Sequence, residues 1–166
     1  MQSFVLLSAL PPREQSLVAA ARQARGLAYA PYSHFLVGAA LLLDDGSIVP
    51  GANQENASYG LTVCAERTAI WNAWLGGHAG HLRGIAIAGA PAAVALAPPW
   101  SDRQAATPIA PCGACRQVLA EARHRRRLVV PGADLFVLLD SLGGPLHRHD
   151  DILDLLPGAF DPAALG

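Results

Sequence analysis

The sequence predicts an α/β sandwich in which at least part of the sheet is parallel. Short apolar runs bounded by turn residues alternate along the chain with longer segments whose apolar residues recur at helical spacing. The chain has 166 residues, of which 52% are hydrophobic, and no repeat or low-complexity tail divides it. We therefore expect one domain, residues 1–166, that also buries apolar surface against other subunits.

The first part of the chain is predicted to form a helix and then a hairpin. Residues 13–27 follow Pro11-Pro12 and carry an apolar stripe at helical spacing, made of Leu17, Val18, Ala21, Ala24 and Leu27. The apolar run Phe35–Leu43 lacks helical spacing and ends at Asp44-Asp45-Gly46, after which residues 47–51 resume it. This pattern indicates two antiparallel strands.

A second helix is predicted over residues 64–75, because strong helix formers follow the expected N-cap Thr62 and continue to Gly76-Gly77. Residues 83–89 are a short apolar segment, typical of a buried strand. Residues 90–110 are rich in proline and alanine and include Trp100, Asp102 and Arg103, which predicts a long loop.

The last part is predicted to contain a helix over residues 113–125, a buried strand over 134–140 and a short strand over 146–148. A final helix is expected over residues 150–156, ended by Pro157-Gly158. Strands that alternate with helices in this way indicate the predicted sandwich.

Charge and cysteine usage limit the class of ligand and the compartment. The formal charge of -1 gives no general attraction to phosphate backbones or anionic membranes, so a small neutral ligand fits better. No apolar run reaches transmembrane length, and residues 4–10 lack a preceding basic region. The odd number of cysteines argues against a disulfide framework. We expect a cytoplasmic protein.

All three cysteines lie in two short motifs, Cys64-Ala65-Glu66-Arg67 and Pro111-Cys112-Gly113-Ala114-Cys115. Thiols clustered in this way are more typical of a metal site than of disulfides. A zinc ion held by three thiolates keeps a fourth position open for water, as catalytic zinc sites do. A ligand-x-Glu motif followed downstream by Pro-Cys-x-x-Cys is typical of zinc nucleobase deaminases.

Glu66 is the candidate proton carrier, because a carboxylate two positions after a ligand can stand beside the metal without binding it. Both motifs are expected to begin helices, whose N-terminal dipoles stabilise thiolates. Three thiolates on one divalent ion still leave net negative charge, so Arg67 and Arg116 are candidates to donate hydrogen bonds to the sulfurs. Salt bridges on the helix surface are the alternative for both.

Six segments in register closely resemble the small, homotetrameric, zinc-dependent cytidine deaminases, from about residue 17 to residue 160 apart from the long loop. They are Tyr29-Ala30-Pro31-Tyr32-Ser33-His34-Phe35, Val37-Gly38-Ala39-Ala40, Asn53-Gln54-Glu55-Asn56-Ala57-Ser58-Tyr59-Gly60, Cys64-Ala65-Glu66-Arg67-Thr68-Ala69, Pro111-Cys112-Gly113-Ala114-Cys115-Arg116-Gln117 and Leu155-Leu156-Pro157-Gly158-Ala159-Phe160. The resemblance implies a three-layer α/β/α sandwich with a mixed sheet of about five strands. It also implies hydrolytic deamination of cytidine and deoxycytidine to uridine and deoxyuridine with release of ammonia, in pyrimidine salvage.

The resemblance assigns a role to individual residues. The zinc ligands, one ion per subunit, would be Cys64, Cys112 and Cys115. Glu66 would be the proton shuttle, and together with the backbone at Ala65 it would hold the base.

Other positions match residues that contact the rest of the nucleoside in the family. Phe35 would pack against the pyrimidine, and Asn53 and Glu55 would hydrogen-bond to the ribose hydroxyl. Three positions match residues that reach into a neighbouring subunit's site, namely Ala57, Tyr59 and Phe160. For the two aromatic residues among them, an ordinary core or interface position is the alternative.

Two departures from the family's pattern leave the substrate open. Leu36 stands where the family usually has proline. Residues 91–110 form a loop insertion roughly ten residues longer than the family norm, of the kind that surface loops tolerate. Because this segment leads into Cys112, a deaminase of a modified or antibiotic cytosine nucleoside is an alternative function.

Further alternatives remain on the residues alone. In one alternative, the cysteines are ordinary buried apolar thiols. In another, they belong to a zinc site closed by a fourth protein ligand, and the protein is a structural or catalytically silent zinc-binding module. A fourth ligand could then come from one of six histidines, none at ligand spacing: His34, His78, His81, His124, His147 and His149. The basic run 123–127 suggests nucleic acid, but its place at a helix C-terminus favours a solvated cap.

Overall fold

One mixed sheet lies at the centre of the fold. The computed structural model describes residues 2–95, 108–142, 144–160 and 162. Its strands are β1 (Gln2–Val5), β2 (Phe35–Leu43), β3 (Ile48–Ala52), β4 (Leu82–Pro91), β5 (Phe136–Asp140) and β6 (Leu146–His149). Their order is β1-β6-β5-β4-β2-β3, in which β4 and β5 are parallel and the other neighbours antiparallel.

The mixed sheet confirms the predicted fold class, although it has six strands instead of about five. The additional strand is β1, which pairs with β6 from Gln2 opposite His149 to Val5 opposite Leu146. The sequence did not predict it, because an edge strand of four residues carries little local signal and its partner lies near the other end of the chain.

Helices cover both faces of the sheet and complete the three layers. On one face, α1 (Pro12–Ala24) packs Leu17, Val18 and Ala21 against a cluster that includes Ala86 and Leu138. On the other face lie α2 (Ala65–Leu75) and α4 (Gly113–Val129), which contribute buried residues to one core with β2, β4 and β5: Ala65, Ala69, Ile70, Ala73, Leu119 and Ala122. The alternating strand and helix patterns therefore predicted the layers correctly.

Several predicted boundaries are corrected. The helix expected over residues 150–156 is a single 3₁₀ turn, Ile152–Leu155, and α1 ends in a 3₁₀ turn, Arg25–Leu27. Strand β4 extends to Pro91 and is followed by a short helix, α3 (Ala92–Ala95), in place of loop. Residues 96–107 of the predicted loop, with Trp100, Asp102 and Arg103, lie outside the described residues.

A close contact between β3 and α2 sets the position of the start of this helix. Gly51 is buried in β3, and a Cβ atom there would overlap the backbone of Ala65 and Ala69. The absence of a side chain therefore lets the first turn of α2 lie directly against the strand.

Among the described residues, no helix is long and apolar enough to cross a membrane.

Candidate active site

The starts of α2 and α4 bring the three cysteines together. Cys64 is the N-cap of α2, and Cys112 is the N-cap of α4. Both have extended backbone, with ψ of 154° and 166°, so each side chain sits where the helix leaves its first amides unpaired. Cys115 lies in the first turn of α4 and is fully buried. The expected N-cap Thr62 is wrong, since this residue precedes the actual cap by two positions.

The sulfur geometry fits a tetrahedral zinc ion. The three Sγ atoms lie within 4.8 Å of one another, and those of Cys64 and Cys112 are 3.9 Å apart. Two sulfurs on one zinc ion, each bonded at about 2.3 Å in a tetrahedral arrangement, are separated by about 3.8 Å. In the described part of the chain, no histidine or carboxylate joins this group. The set therefore provides three ligands and leaves the remaining face to another molecule.

The surroundings of Cys64 and Cys112 differ from those of a buried apolar thiol. The hydrogen bond with the Cys115 thiol, assisted by Arg67, lowers the pKa of Cys64 to about 5, whereas the same bond and burial raise the pKa of Cys115. Arg67 Nη2 lies 3.9 Å from the Cys64 Sγ atom and donates to the Thr62 carbonyl at 3.0 Å. Cys112 is exposed, which separates it from ordinary core thiols.

Glu66 lies beside the sulfurs in the first turn of α2 and is only 4% exposed. Burial, and to a lesser extent the charge of Cys64, raise the pKa of this carboxyl group to about 7. A group that gains and loses a proton near neutral pH is suited to general acid and base catalysis. Glu66 therefore lies next to the three sulfurs, but its carboxylate is not part of the group that could hold a metal ion.

Asn53 connects the end of β3 to the start of β2. Its Oδ1 atom accepts a hydrogen bond from the Val37 amide at 2.9 Å, and its Nδ2 atom donates to the Phe35 carbonyl at 3.0 Å. An amide side chain has two N–H donors and an oxygen with two lone pairs, so these bonds use about half of its capacity. Asn53 therefore holds Phe35 in place and keeps polar capacity for a ligand.

Glu55 holds the turn that precedes Phe35. Its Oε2 atom accepts hydrogen bonds from the backbone amides of Tyr32 and Ser33, at 2.9 and 3.2 Å. The hydrogen bond from the Ser33 side chain, together with these amides, lowers the pKa of the carboxyl group. Tyr32, Ser33 and Glu55 also line a pocket of about 410 Å³ with Tyr59 and Thr62. A pocket of this volume is large enough for a small molecule.

Ser33 is a residue of this site to which the sequence analysis assigned no role. Its hydroxyl accepts a hydrogen bond from the Phe35 amide at 3.1 Å and donates to Glu55. Serine just before a strand often forms such local turns, and this pattern is the sequence signal that could have indicated the role of Ser33. The next residue, His34, has a φ of +54°, and its carbonyl accepts from the Ala92 amide at 2.8 Å. The turn is thereby connected to the start of α3.

Three predicted site residues are largely exposed within one chain. Ala57 is exposed, Tyr59 is 73% exposed and Phe160 is 60% exposed. Phe160 lies with Arg123 and Arg127 in a different pocket, and its carbonyl accepts a hydrogen bond from Gln117 at 3.1 Å. One chain therefore does not bring the two aromatic side chains into the same pocket.

Arg116 has different partners from those expected. Its Nε atom donates to the Pro111 carbonyl at 2.7 Å, and its Nη1 atom donates to the Leu155 carbonyl at 2.9 Å. Within the described residues, the hydrogen bonds of its guanidinium therefore go to these carbonyls and not to a thiol. Its partners also differ from those of a surface salt bridge.

The basic run at the end of α4 is paired with carboxylates of the same chain. Arg123 contacts Asp134 and Asp151, at 3.2 and 2.6 Å, and Arg127 contacts Asp134 at 2.7 Å. The helix continues through this run to Val129. These arginines are engaged in holding the helix to the rest of the fold, which weakens the interpretation as a nucleic-acid surface.

Comparison with known proteins agrees with this geometry. The family described as "Cytidine and deoxycytidylate deaminase zinc-binding region" matches residues 11–131. The chain belongs to this family. The match includes all three sulfurs and Glu66, so zinc is the metal that the deaminase zinc-binding region implies here, and the sulfur geometry fits it.

Individual members of the family cover most of the chain. A cytidine deaminase of Halalkalibacterium halodurans is 47% identical over 146 residues, covering 88% of this chain and 92% of that protein. A cytidine deaminase of Mycobacterium tuberculosis is 44% identical over 140 residues, 84% of each protein. The crystal structure of the cytidine deaminase from Burkholderia pseudomallei has a TM-score of 0.70 and 42% identity, covering 88% of this chain and 98% of that chain.

Proposed function

We propose that this protein is a zinc-dependent hydrolase that deaminates cytidine and deoxycytidine to uridine and deoxyuridine and releases ammonia. The observation that carries the proposal is the buried Glu66 carboxyl group beside three clustered sulfurs. Family membership and the names of the relatives agree with it. A catalytically silent zinc-binding module would have no use for a carboxyl group held in this state.

The proposed mechanism assigns each step to a residue. Cys64, Cys112 and Cys115 would hold the zinc ion, which when bound lowers the pKa of water so that a nucleophile exists at neutral pH. Glu66 takes the proton from the attacking water and delivers it to N3 of cytosine. After the hydroxide has attacked C4, the same carboxyl group takes the proton of the new C4 hydroxyl group and delivers it to the amino group, which leaves as ammonia while the C4 carbonyl forms. The buried position of Glu66 excludes competing water from these transfers.

The substrate is oriented from the sugar and from the base. We assign the ribose hydroxyl to Asn53 and Glu55, because an amide and a carboxylate together suit a group that both donates and accepts. Phe35, whose carbonyl is held by Asn53, packs against the pyrimidine, and the Ala65 backbone with Glu66 holds the base. A free base could not use the remaining hydrogen-bonding capacity of Asn53 and Glu55, so we expect a preference for nucleosides.

We further propose a homotetramer in which neighbouring subunits complete each site. Support comes from the exposure of Tyr59 and Phe160 at positions that match residues reaching into a neighbouring subunit's site in the family. Ala57, Tyr59 and Phe160 would then contact the substrate of a neighbour. The chain would act as one domain, in the cytoplasm and in pyrimidine salvage, and without a nucleic-acid or membrane partner.

The alternative substrate, a modified or antibiotic cytosine nucleoside, is favoured by one observation. The segment after β4 begins with α3, whose Ala92 amide is bonded to His34, directly beside the residue that packs on the base. A longer segment at this place can narrow the substrate range. The insertion over residues 91–110 therefore concerns which cytosine nucleoside is preferred and not whether one is deaminated.

The test is turnover. Zinc-loaded protein is incubated with cytidine, deoxycytidine, modified cytosine nucleosides and adenosine, and the ultraviolet change is followed. We expect deamination of cytosine nucleosides, and Glu66→Ala should retain zinc while kcat falls by about 10² to 10⁴. Absence of turnover at high enzyme concentration would refute the proposed activity, and an active Glu66→Ala variant would remove Glu66 from its role.

A further inference from the structure

Arg116 contacts the metal-binding turn twice. Its Nε atom donates to the carbonyl of Pro111, and its backbone amide donates to the carbonyl of Cys112 at 2.9 Å. Arg116 thus donates hydrogen bonds to two consecutive backbone carbonyls, those of Pro111 and Cys112. Arg116 also directly follows the buried ligand Cys115.

The other end of the guanidinium reaches an element that is anchored in the core. Nη1 donates to the carbonyl of Leu155, the last residue of the 3₁₀ turn Ile152–Leu155. Ile152 is fully buried, and its amide donates to the Leu135 carbonyl at 2.9 Å, just before β5. Leu155 also packs against the core on the side of α2 and α4. The carbonyl that Arg116 contacts is therefore a fixed point of the fold.

The ligand that this arrangement affects is Cys112. It is the exposed member of the three sulfurs, and its neighbours Gly113 and Ala114 are exposed as well. Buried residues flank this turn, Pro111 on one side and Cys115 on the other, so the backbone hydrogen bonds of the exposed residues between them help to decide where the Cys112 sulfur lies. A tetrahedral metal site tolerates errors of only a few tenths of an ångström in its ligand distances.

We propose that Arg116 is a positioning residue for the metal centre: it braces the Pro111–Cys112 backbone against Leu155 and so holds the Cys112 sulfur at zinc-binding distance from the other two. The proposal rests on the zinc-binding part of the proposed function and is independent of the substrate. The rigid, planar guanidinium presents donors in two directions, which the single ammonium group of lysine cannot reproduce.

The experiment compares zinc affinity, measured by competition with a chromophoric chelator, among the whole protein and three variants. Arg116→Gln removes the brace and the charge, and Arg116→Lys keeps the charge. Arg125→Gln is the matched control, because Arg125 lies on the same helix, is half-exposed and contacts Glu121 and Trp74. The melting temperature of each chelator-treated protein separates effects on the metal site from effects on folding.

We expect Arg116→Gln and Arg116→Lys to weaken zinc binding by about 10- to 100-fold, as loss of a residue that orients a ligand does, and Arg125→Gln to leave it unchanged. Wild-type zinc affinity in Arg116→Gln would overturn the proposal. Wild-type affinity in Arg116→Lys would overturn it too, because charge alone would then be sufficient. An equal fall in the melting temperatures of the zinc-loaded and zinc-free forms, with unchanged affinity, would assign Arg116 a purely structural role. A lack of deaminase turnover would not affect these outcomes.

Discussion

Replacement of Gly51 by alanine should displace active-site residues, although Gly51 itself is not part of the site. The new Cβ atom would lie 2.6 Å from the Ala65 carbonyl oxygen and 2.8 Å from the Ala69 Cα atom, whereas ordinary contacts begin near 3.4 Å. Both neighbours are backbone atoms of α2, which cannot turn away as a side chain can. The closest overlap is with the Ala69 amide nitrogen, so the start of the helix has to move by at least about 0.8 Å, and with it Cys64 and Glu66.

The magnitude follows from two effects of this shift. Overpacking of this kind costs about 1 to 3 kcal/mol of unfolding free energy, which lowers the melting temperature by about 2 to 12 °C in a domain of this size. A displacement of about 1 Å in catalytic groups can lower the rate by about 100-fold. We expect a loss of 10- to 100-fold in kcat/KM.

The assay combines differential scanning fluorimetry with steady-state turnover of cytidine by zinc-loaded protein. Gly26→Ala is the matched control, since Gly26 is exposed and no atom lies within 4 Å of the added Cβ. This control should have wild-type stability or gain up to about 1 kcal/mol through the unfolded chain. If Gly51→Ala has the stability and the activity of Gly26→Ala, the contact between β3 and α2 does not set the position of the catalytic groups.

Three further changes test other parts of the structure. Ser33→Ala should lower kcat/KM by about 5- to 30-fold, because two hydrogen bonds that orient Phe35 and Glu55 are lost. Ser47→Ala, in the β2–β3 turn, is the control, and equal kinetics of the two variants would contradict the role of Ser33. Arg22→Met should lower the free energy of unfolding in urea by about 3 kcal/mol. The buried Asp140 carboxylate would then lose the two hydrogen bonds of 2.7 Å that it accepts from Arg22. A loss below about 1 kcal/mol would contradict the importance of this ion pair. Removal of zinc should lower the free energy of unfolding, measured at a free zinc concentration of 100 times the Kd, by about 2.7 kcal/mol, and Cys112→Ser should show a smaller difference between the zinc-loaded and zinc-free forms.

Local sequence patterns predicted the parts of the site that lie within one turn or one strand end. Pro-Cys-x-x-Cys puts Cys112 at the N-cap and Cys115 in the first turn of a helix, and ligand-x-Glu puts Glu66 two residues after the N-cap Cys64. These placements depend on helical geometry over a few residues, and the structure bears out the clustering of the sulfurs.

Contacts between distant segments could not be predicted in this way. Arg116 was expected at a sulfur, yet its side chain reaches the carbonyl of Leu155, 39 positions along the chain. Ser33 acquires its function only because Glu55, 22 positions away, lies under the same turn. Strand β1 forms because β6 provides a free edge near the other end of the sequence.

The chain's own motifs therefore predict the chemistry: which atoms would bind zinc, which carboxyl group would carry the proton and which fold class surrounds them. The arrangement in space establishes how these groups are held, through the brace at Arg116, the turn on Glu55 and the contact at Gly51. The physical reason is that periodicity and spacing encode the conformation of neighbouring residues, whereas the partner of a buried polar group is fixed only when remote segments pack together.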